Sequence, residues 1–259
     1  VPLGPNVDEA LAGTNVWSDS MPAGWSVDDS GVPGVGNPNE GVTEWEGWAC
    51  TNRAWWVQAA GDQNRSQFTR GVGTIAVADP DEWDDRGNPE GIGAYNAAML
   101  MPEISLAGYL PNSLRLAFDS SWRPEGLQRA RITASYDGGA PVTVMQWDSF
   151  AGPTFKPDAT NERVEFTLAN PAGASDVRLT FWMLDARNNW WWAIDNVEVT
   201  AIENPCRADT NADGGVDGDD VITFFAAWDA GQSLGDFNGD GGVDGDDVIA
   251  FFARWDSGC

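Results

Sequence analysis

Histidine does not occur in the 259 residues, and lysine occurs once, at Lys156. Without an imidazole, Ser-His-Asp and Cys-His catalysis, imidazole metal ligation and most proton shuttling are excluded together. Cations are scarce: 14 Lys plus Arg stand against 40 Asp plus Glu, a formal net charge of -26. Such a chain repels polyanions at long range, which makes nucleic acid and anionic membranes poor partners and divalent cations good ones. No apolar run approaches the ~20 residues that span a bilayer, so no membrane insertion is expected. No signal peptide stands at Val1, and a secreted protein is expected in its processed form. Three cysteines, Cys50, Cys206 and Cys259, are too few to establish a disulfide framework by number. No phosphate loop, nucleophile elbow or cofactor fingerprint occurs, and the expectation is a protein that is not an enzyme.

The C-terminus carries a repeat. "DTNADGGVDGDD" at 209–220 returns as "DFNGDGGVDGDD" at 236–247, and across 209–229 and 236–256 the two copies agree at 17 of 21 positions. Counted from the first Asp of each copy, oxygen-bearing side chains fall at positions 1, 3, 5, 9 and 12, with glycine at 6. These are Asp209, Asn211, Asp213, Asp217 and Asp220 in the first copy, and Asp236, Asn238, Asp240, Asp244 and Asp247 in the second. A hard cation takes six to eight oxygens, and a chain wraps around it at this spacing; the carbonyls of Gly215 and Gly242 at position 7 each add one more. The set is that of two calcium ions. Position 12 is Asp where the EF-hand loop has Glu. After each loop, Val221, Ile222, Phe224, Phe225 and Trp228, and likewise Val248, Ile249, Phe251, Phe252 and Trp255, fall on one helical face. Each unit therefore reads as a loop followed by one helix, and mutual repulsion of its aspartates makes folding depend on the cation.

Two tandem calcium loops with Asp at position 12, each followed by a helix, resemble a dockerin over residues 206–259. The resemblance implies a small all-α domain at 204–259 that docks onto a cohesin, a β-sandwich, in either of two orientations. Its contact positions transfer to Gly218, Asp219, Thr223 and Ala227 in the first copy and Gly245, Asp246, Ala250 and Arg254 in the second. Cys206 and Cys259 bracket the repeat, where packing of the helix pair would bring the ends together as a disulfide clasp; that implies an oxidising compartment. Cys50 is then the leftover thiol, expected buried as a small hydrophobe.

Residues 1–203 have a different texture, with Gly, Pro, Asn and Asp punctuating short alternating runs. "TIAVAD" (74–79), "AAMLMPEISL" (97–106), "LRLAFDSSW" (114–122), "RARITASYD" (129–137), "RVEFTLA" (163–169), "VRLTFWMLD" (177–185) and "WWWAIDNVEVT" (190–200) read as strands. With no convincing amphipathic helix among them, the expectation is a mainly β fold, an antiparallel β-sandwich. Residues 1–14 form an extended lead segment. The order of these strands, closing on "WAIDNV", resembles the MAM-like or concanavalin-like jelly rolls of bacterial secreted proteins, which implies an extracellular or cell-surface location. The resemblance also makes Asp195 a ligand of a further structural calcium, with a hydrogen-bonded turn anchor as the equal alternative. "DPDEWDDRGNPE" (79–90) reads as an acidic loop, either metal-binding or solvated.

Of 15 tryptophans, Trp190, Trp191 and Trp192 are consecutive in a strand, so one face of a regular strand would carry an aromatic platform for a glycan; core filling is the alternative. Glu44 and Glu46 share a face if "TEWEGW" is a strand, but a concanavalin-like glycosidase motif has a third acid that is missing here. Two functions are open on these readings. One is a secreted, non-catalytic assembly protein whose calcium-locked module binds a cohesin-like β-sandwich or another copy of the chain, forming a fibre by repetition. The other is a polysaccharide-binding module tethered by the same tail.

Overall fold

The computed structural model describes residues 16–204, 206–211 and 213–258; the lead segment expected at 1–14 lies outside them. Twelve strands are laid out in chain order as β1 (Trp17–Ser18), β2 (Ser26–Gly31), β3 (Ala49–Asn52), β4 (Thr74–Ala78), β5 (Tyr95–Leu100), β6 (Ile104–Ser105), β7 (Leu114–Trp122), β8 (Arg129–Tyr136), β9 (Val142–Asp148), β10 (Ala159–Leu168), β11 (Asp176–Ala186) and β12 (Trp192–Thr200). They form two antiparallel sheets: β1-β3-β4-β12-β7-β10, and β2-β5-β11-β8-β9 with β6 also on β11. The chain is mainly β, as its alternation requires. β11 shows the reason best: Val177, Leu179, Phe181 and Met183 are fully buried while the residues between them face outward, the period of two that a half-buried strand demands. The expected run at 97–106 is divided into β5 and β6 around Pro102, which has no N–H for a ladder.

Trp192 is the hub between the sheets. Its ring lies 5.5 Å from Trp48, 5.9 Å from both Trp147 and Phe181, and 6.3 Å from Phe118. The other face of the first sheet is covered too, by α1 (Arg53–Ala59), a helix that the sequence did not announce. Asn52 caps it, its side-chain oxygen accepting from the N–H groups of Ala54 and Trp55. Seven residues are too few to display a helical period, so the cap was the available signal. Two short helical turns, α2 (Pro80–Trp83) and α3 (Pro89–Ile92), follow β4.

Beyond β12 the chain pairs Tyr109 with Glu203 and then carries two helices, α4 (Gly218–Asp229) and α5 (Gly245–Trp255), around a separate buried cluster of Ala208, Phe224, Phe237 and Phe251.

Candidate functional site

The two acidic loops fold alike. In the first, Asp209 accepts from the N–H groups of Asp213 (3.1 Å) and Gly214 (2.9 Å), Asn211 from Asp213 (2.9 Å), and Asp213 from Gly215 (3.0 Å). In the second, Asp236 accepts from Asp240 (3.1 Å) and Gly241 (3.0 Å), Asn238 from Asp240 (2.8 Å), and Asp240 from Gly242 (2.9 Å). Gly214 and Gly241 take φ of +93° and +89°, the left-handed turn for which position 6 needs glycine.

Position 12 closes each loop. Asp220 is fully buried, and its two oxygens accept from the N–H groups of Asn211 (3.1 Å) and Asp217 (2.8 Å). Asp247 is equally buried and does the same with Asn238 (2.9 Å) and Asp244 (2.8 Å). Asp217 and Asp244 in turn cap α4 and α5 in reciprocal capping boxes. A single aspartate thus ties the start of the loop to the start of the helix, which is what the shorter side chain at position 12 achieves. Each loop offers an all-oxygen donor set of four carboxylates, one amide and the position-7 carbonyl, with no nitrogen or sulfur ligand, and that chemistry fits a hard cation such as calcium. Among the described residues, no three carboxylates are gathered tightly enough to form a metal site by themselves.

The helices pack about a pseudo-twofold axis. Phe224 and Phe251 stack face to face at 4.3 Å with an interplanar angle of 1°, and Phe237 meets both edge-on. Trp228 donates its indole N–H to the carbonyl of Asp244 (2.8 Å), and Trp255 to that of Asp217 (3.4 Å), so each helix end holds the opposite loop.

The transferred contact positions divide. Gly218, Asp219, Gly245 and Asp246 are exposed, and Thr223 and Ala250 are half-buried. Ala227 is buried, 3% exposed, under the turn that follows α4, where Gln232 donates to its carbonyl, and it offers nothing to a partner. Its counterpart Arg254 faces the loop at Ser105–Tyr109 across a cleft. Most apolar surface is presented by Ile222 and Ile249, 68% and 69% exposed at equivalent positions, with Phe252 also exposed; the helical pattern alone had counted all three with the core face. Cys206 is disulfide-bonded, and Cys259, its expected partner, lies outside the described residues. Cys50 is buried, with its thiol on the sulfur of Met21 at 3.1 Å.

In the sheets, Asp195 is buried, and its oxygens accept from the N–H groups of Val72 (2.9 Å) and Asn196 (2.7 Å) at a bulge where β12 slips against β7. Both bonds are of the kind a turn anchor makes. Asp79, first of the acidic run 79–90, is fully buried and not solvated: Arg65 donates to both its oxygens at 2.9 Å, and Trp56 adds an indole N–H at 2.7 Å. Arg65 also reaches Asp81 and Glu82 at 3.1 Å and stacks over Trp191 at 4.3 Å. The cation that Asp79 meets is thus a guanidinium from fourteen residues upstream, which the run itself did not foretell. Burial, then the Asp79 charge, push Glu82 up to about 7. Trp191 and Trp192 are fully buried, with their indole N–H groups on Ser121 and Ser120, so neither presents a face to a glycan; Trp190 is half-buried against the core. Glu44 and Glu46 lie in and just after a 3-10 turn (Thr43–Trp45) instead of a strand, and Glu46 accepts from the Gly36 N–H.

No family model matches the chain, and no curated protein does. Among solved structures, the K1 cleaved adhesin domain of Lys-gingipain from Porphyromonas gingivalis W83 is similar at 15% identity over 73% of this chain and 99% of that one, with a TM-score of 0.42. A family 16 carbohydrate binding module is similar at 17% identity over 52% and 81%, TM-score 0.28. The enzymatically active domain of bacteriophage CBA120 tailspike protein 4 matches at 16% identity and TM-score 0.34 over 51% of this chain, which spans 16% of the tailspike's length. Likeness at this level carries no conclusion about function.

Proposed function

We propose that the protein is a non-catalytic extracellular assembly protein, in which a dockerin-like, calcium-locked pair of loop–helix units (residues 204–259) docks a jelly-roll β-sandwich onto a protein partner. The observation that carries this reading is the identical folding of the two loops, down to the buried Asp220 and Asp247 that join loop to helix. Asp209, Asn211, Asp213, Asp217, Asp220 and the Gly215 carbonyl would hold one ion, and Asp236, Asn238, Asp240, Asp244, Asp247 and the Gly242 carbonyl the other. Bound calcium supplies the positive charge that lets the clustered aspartates close, and so contributes folding free energy.

The partner meets a surface that looks nearly the same after half a turn. Exposed Ile222 and Ile249, each flanked by the acidic first turn of its helix, are its apolar centres. A cohesin-like β-sandwich is the partner the resemblance implies. A second copy is the alternative, since the chain carries a sandwich of its own and a heterologous contact of that kind propagates into a fibre. Light scattering of the purified chain with calcium and with chelator tests both: growth into long particles only with calcium supports self-docking, and a calcium-loaded monomer at every accessible concentration rules self-docking out and leaves a distinct partner.

Polysaccharide binding through Trp190–Trp192 is a weaker reading, because two of the three rings are fully enclosed.

A further inference from the structure

We propose that the cleft between the sandwich and the C-terminal helices is a binding site for an acidic sugar, whose carboxylate or sulfate is held by Arg207 and Arg254. The cleft is about 300 Å³, and besides the two arginines its walls include Ser105, Tyr109, Glu203, Asn204 and Asn238. That is the lower end of small-molecule sites, the size of one sugar ring with a substituent. Arg207 is fixed in place. Its guanidinium lies 4.5 Å over the ring of Phe237, and the backbone of Gly108, at φ +80°, passes so close that a Cβ there would sit 2.5 Å from its Nε. Among the described residues, neither Arg207 nor Arg254 has a carboxylate within ion-pair distance, although acids outnumber cations by 40 to 14.

Two guanidiniums facing one cleft repel each other. An oxyanion relieves that repulsion, and guanidinium forks match carboxylate and sulfate geometry. The amide of Asn204 and the hydroxyl of Ser105 are polar groups that ring hydroxyls need, and Tyr109, 39% exposed, presents an aromatic edge to the ring. The overall charge of -26 opposes an anion at long range, but beyond about 8 to 10 Å it is screened in physiological salt, and in the cleft itself two guanidiniums stand against the one carboxylate of Glu203.

The test is calorimetric titration of the calcium-loaded full chain at fixed ionic strength with glucuronate, glucose 6-sulfate, glucose and inorganic sulfate. The expected result is binding of at least one acidic sugar, no measurable binding of glucose, and inorganic sulfate at least about tenfold weaker, since it lacks the ring. Which acidic sugar binds identifies the carboxylate or the sulfate ester as the ligand. Arg254→Gln, on the surface, and Arg207→Gln should each lower affinity about tenfold with unchanged circular dichroism. Failure of both acidic sugars to bind, equal binding of glucose or inorganic sulfate, or full affinity in a folded Arg254→Gln variant would each overturn the proposal.

Discussion

Arg65 is the single side chain on which the covered face of the first sheet depends. It is fully buried, satisfies Asp79 with two hydrogen bonds, and stacks on Trp191. Arg65→Met should cost about 3 to 5 kcal/mol in a denaturant melt, because the carboxylate of Asp79 is left buried without its cation. Glu82, in the same cluster, gives a prediction in pH. Its folded pKa of about 7 lies above the ordinary 4.5, so the folded state favours the protonated acid. Stability from this group is fully present below pH 4.5 and is lost as pH rises through 7, by about 3 kcal/mol in all. Glu82→Gln should therefore raise the melting temperature at pH 8 and leave it nearly unchanged at pH 4; equal effects at both would refute the shift. None of this was legible from residues 79–90 read as an acidic loop, since the cation that organises the run comes from fourteen positions upstream and burial is a property of the fold. Trp191 and Trp192 teach the same lesson: a strand running from 190 would assign them opposite faces, but β12 begins only at Trp192, and Trp191 before it is enclosed by Trp56 of α1 at 5.6 Å.

At the scale of elements, the loop–helix unit was the most legible part of the chain. The ligand spacing and the apolar period specify a turn and a helix locally, and both appear where expected, with α4 and α5 beginning one residue after the capping aspartates. What spacing did not convey was which apolar side chains meet across the pseudo-twofold axis: Phe224 and Phe251 do, while Ile222 and Ile249 face solvent. Phe251→Ala should cost about 3 to 5 kcal/mol of the C-terminal unit's stability, because it empties one half of the stacked pair at the centre of a very small core. Ile249→Ala should leave that stability within about 0.5 kcal/mol and weaken docking, which a partner or self-association titration reads. Gly241→Ala places a Cβ at φ +89°; the strain of about 1 to 2 kcal/mol should appear as weaker calcium binding at the second loop alone. β7, β8 and β11 match their sequence patterns closely, β11 because it alternates and β7 because it is apolar along most of its length, whereas the short β1 and β3 at one edge carried no period to read.

For the whole molecule, the two sheets and the C-terminal helices have separate cores, joined by a narrow seam at Gly108–Tyr109, Glu203–Asn204 and Arg207. They should also have separate energetics: the sheets stand on buried tryptophans and the buried Arg65–Asp79 ion pair, the tail on cations held by its aspartates. Whether calcium locks the tail is decided by hydrogen exchange with and without chelator, read by mass spectrometry on the intact chain. Calcium should protect the amides of 218–229 and 245–255 by several orders of magnitude while those of β7, β11 and β12 stay protected in both conditions. Equal protection of the two helices in chelator and in calcium would contradict the claim, and the acidic repeat would then be a self-sufficient fold with no metal to hold.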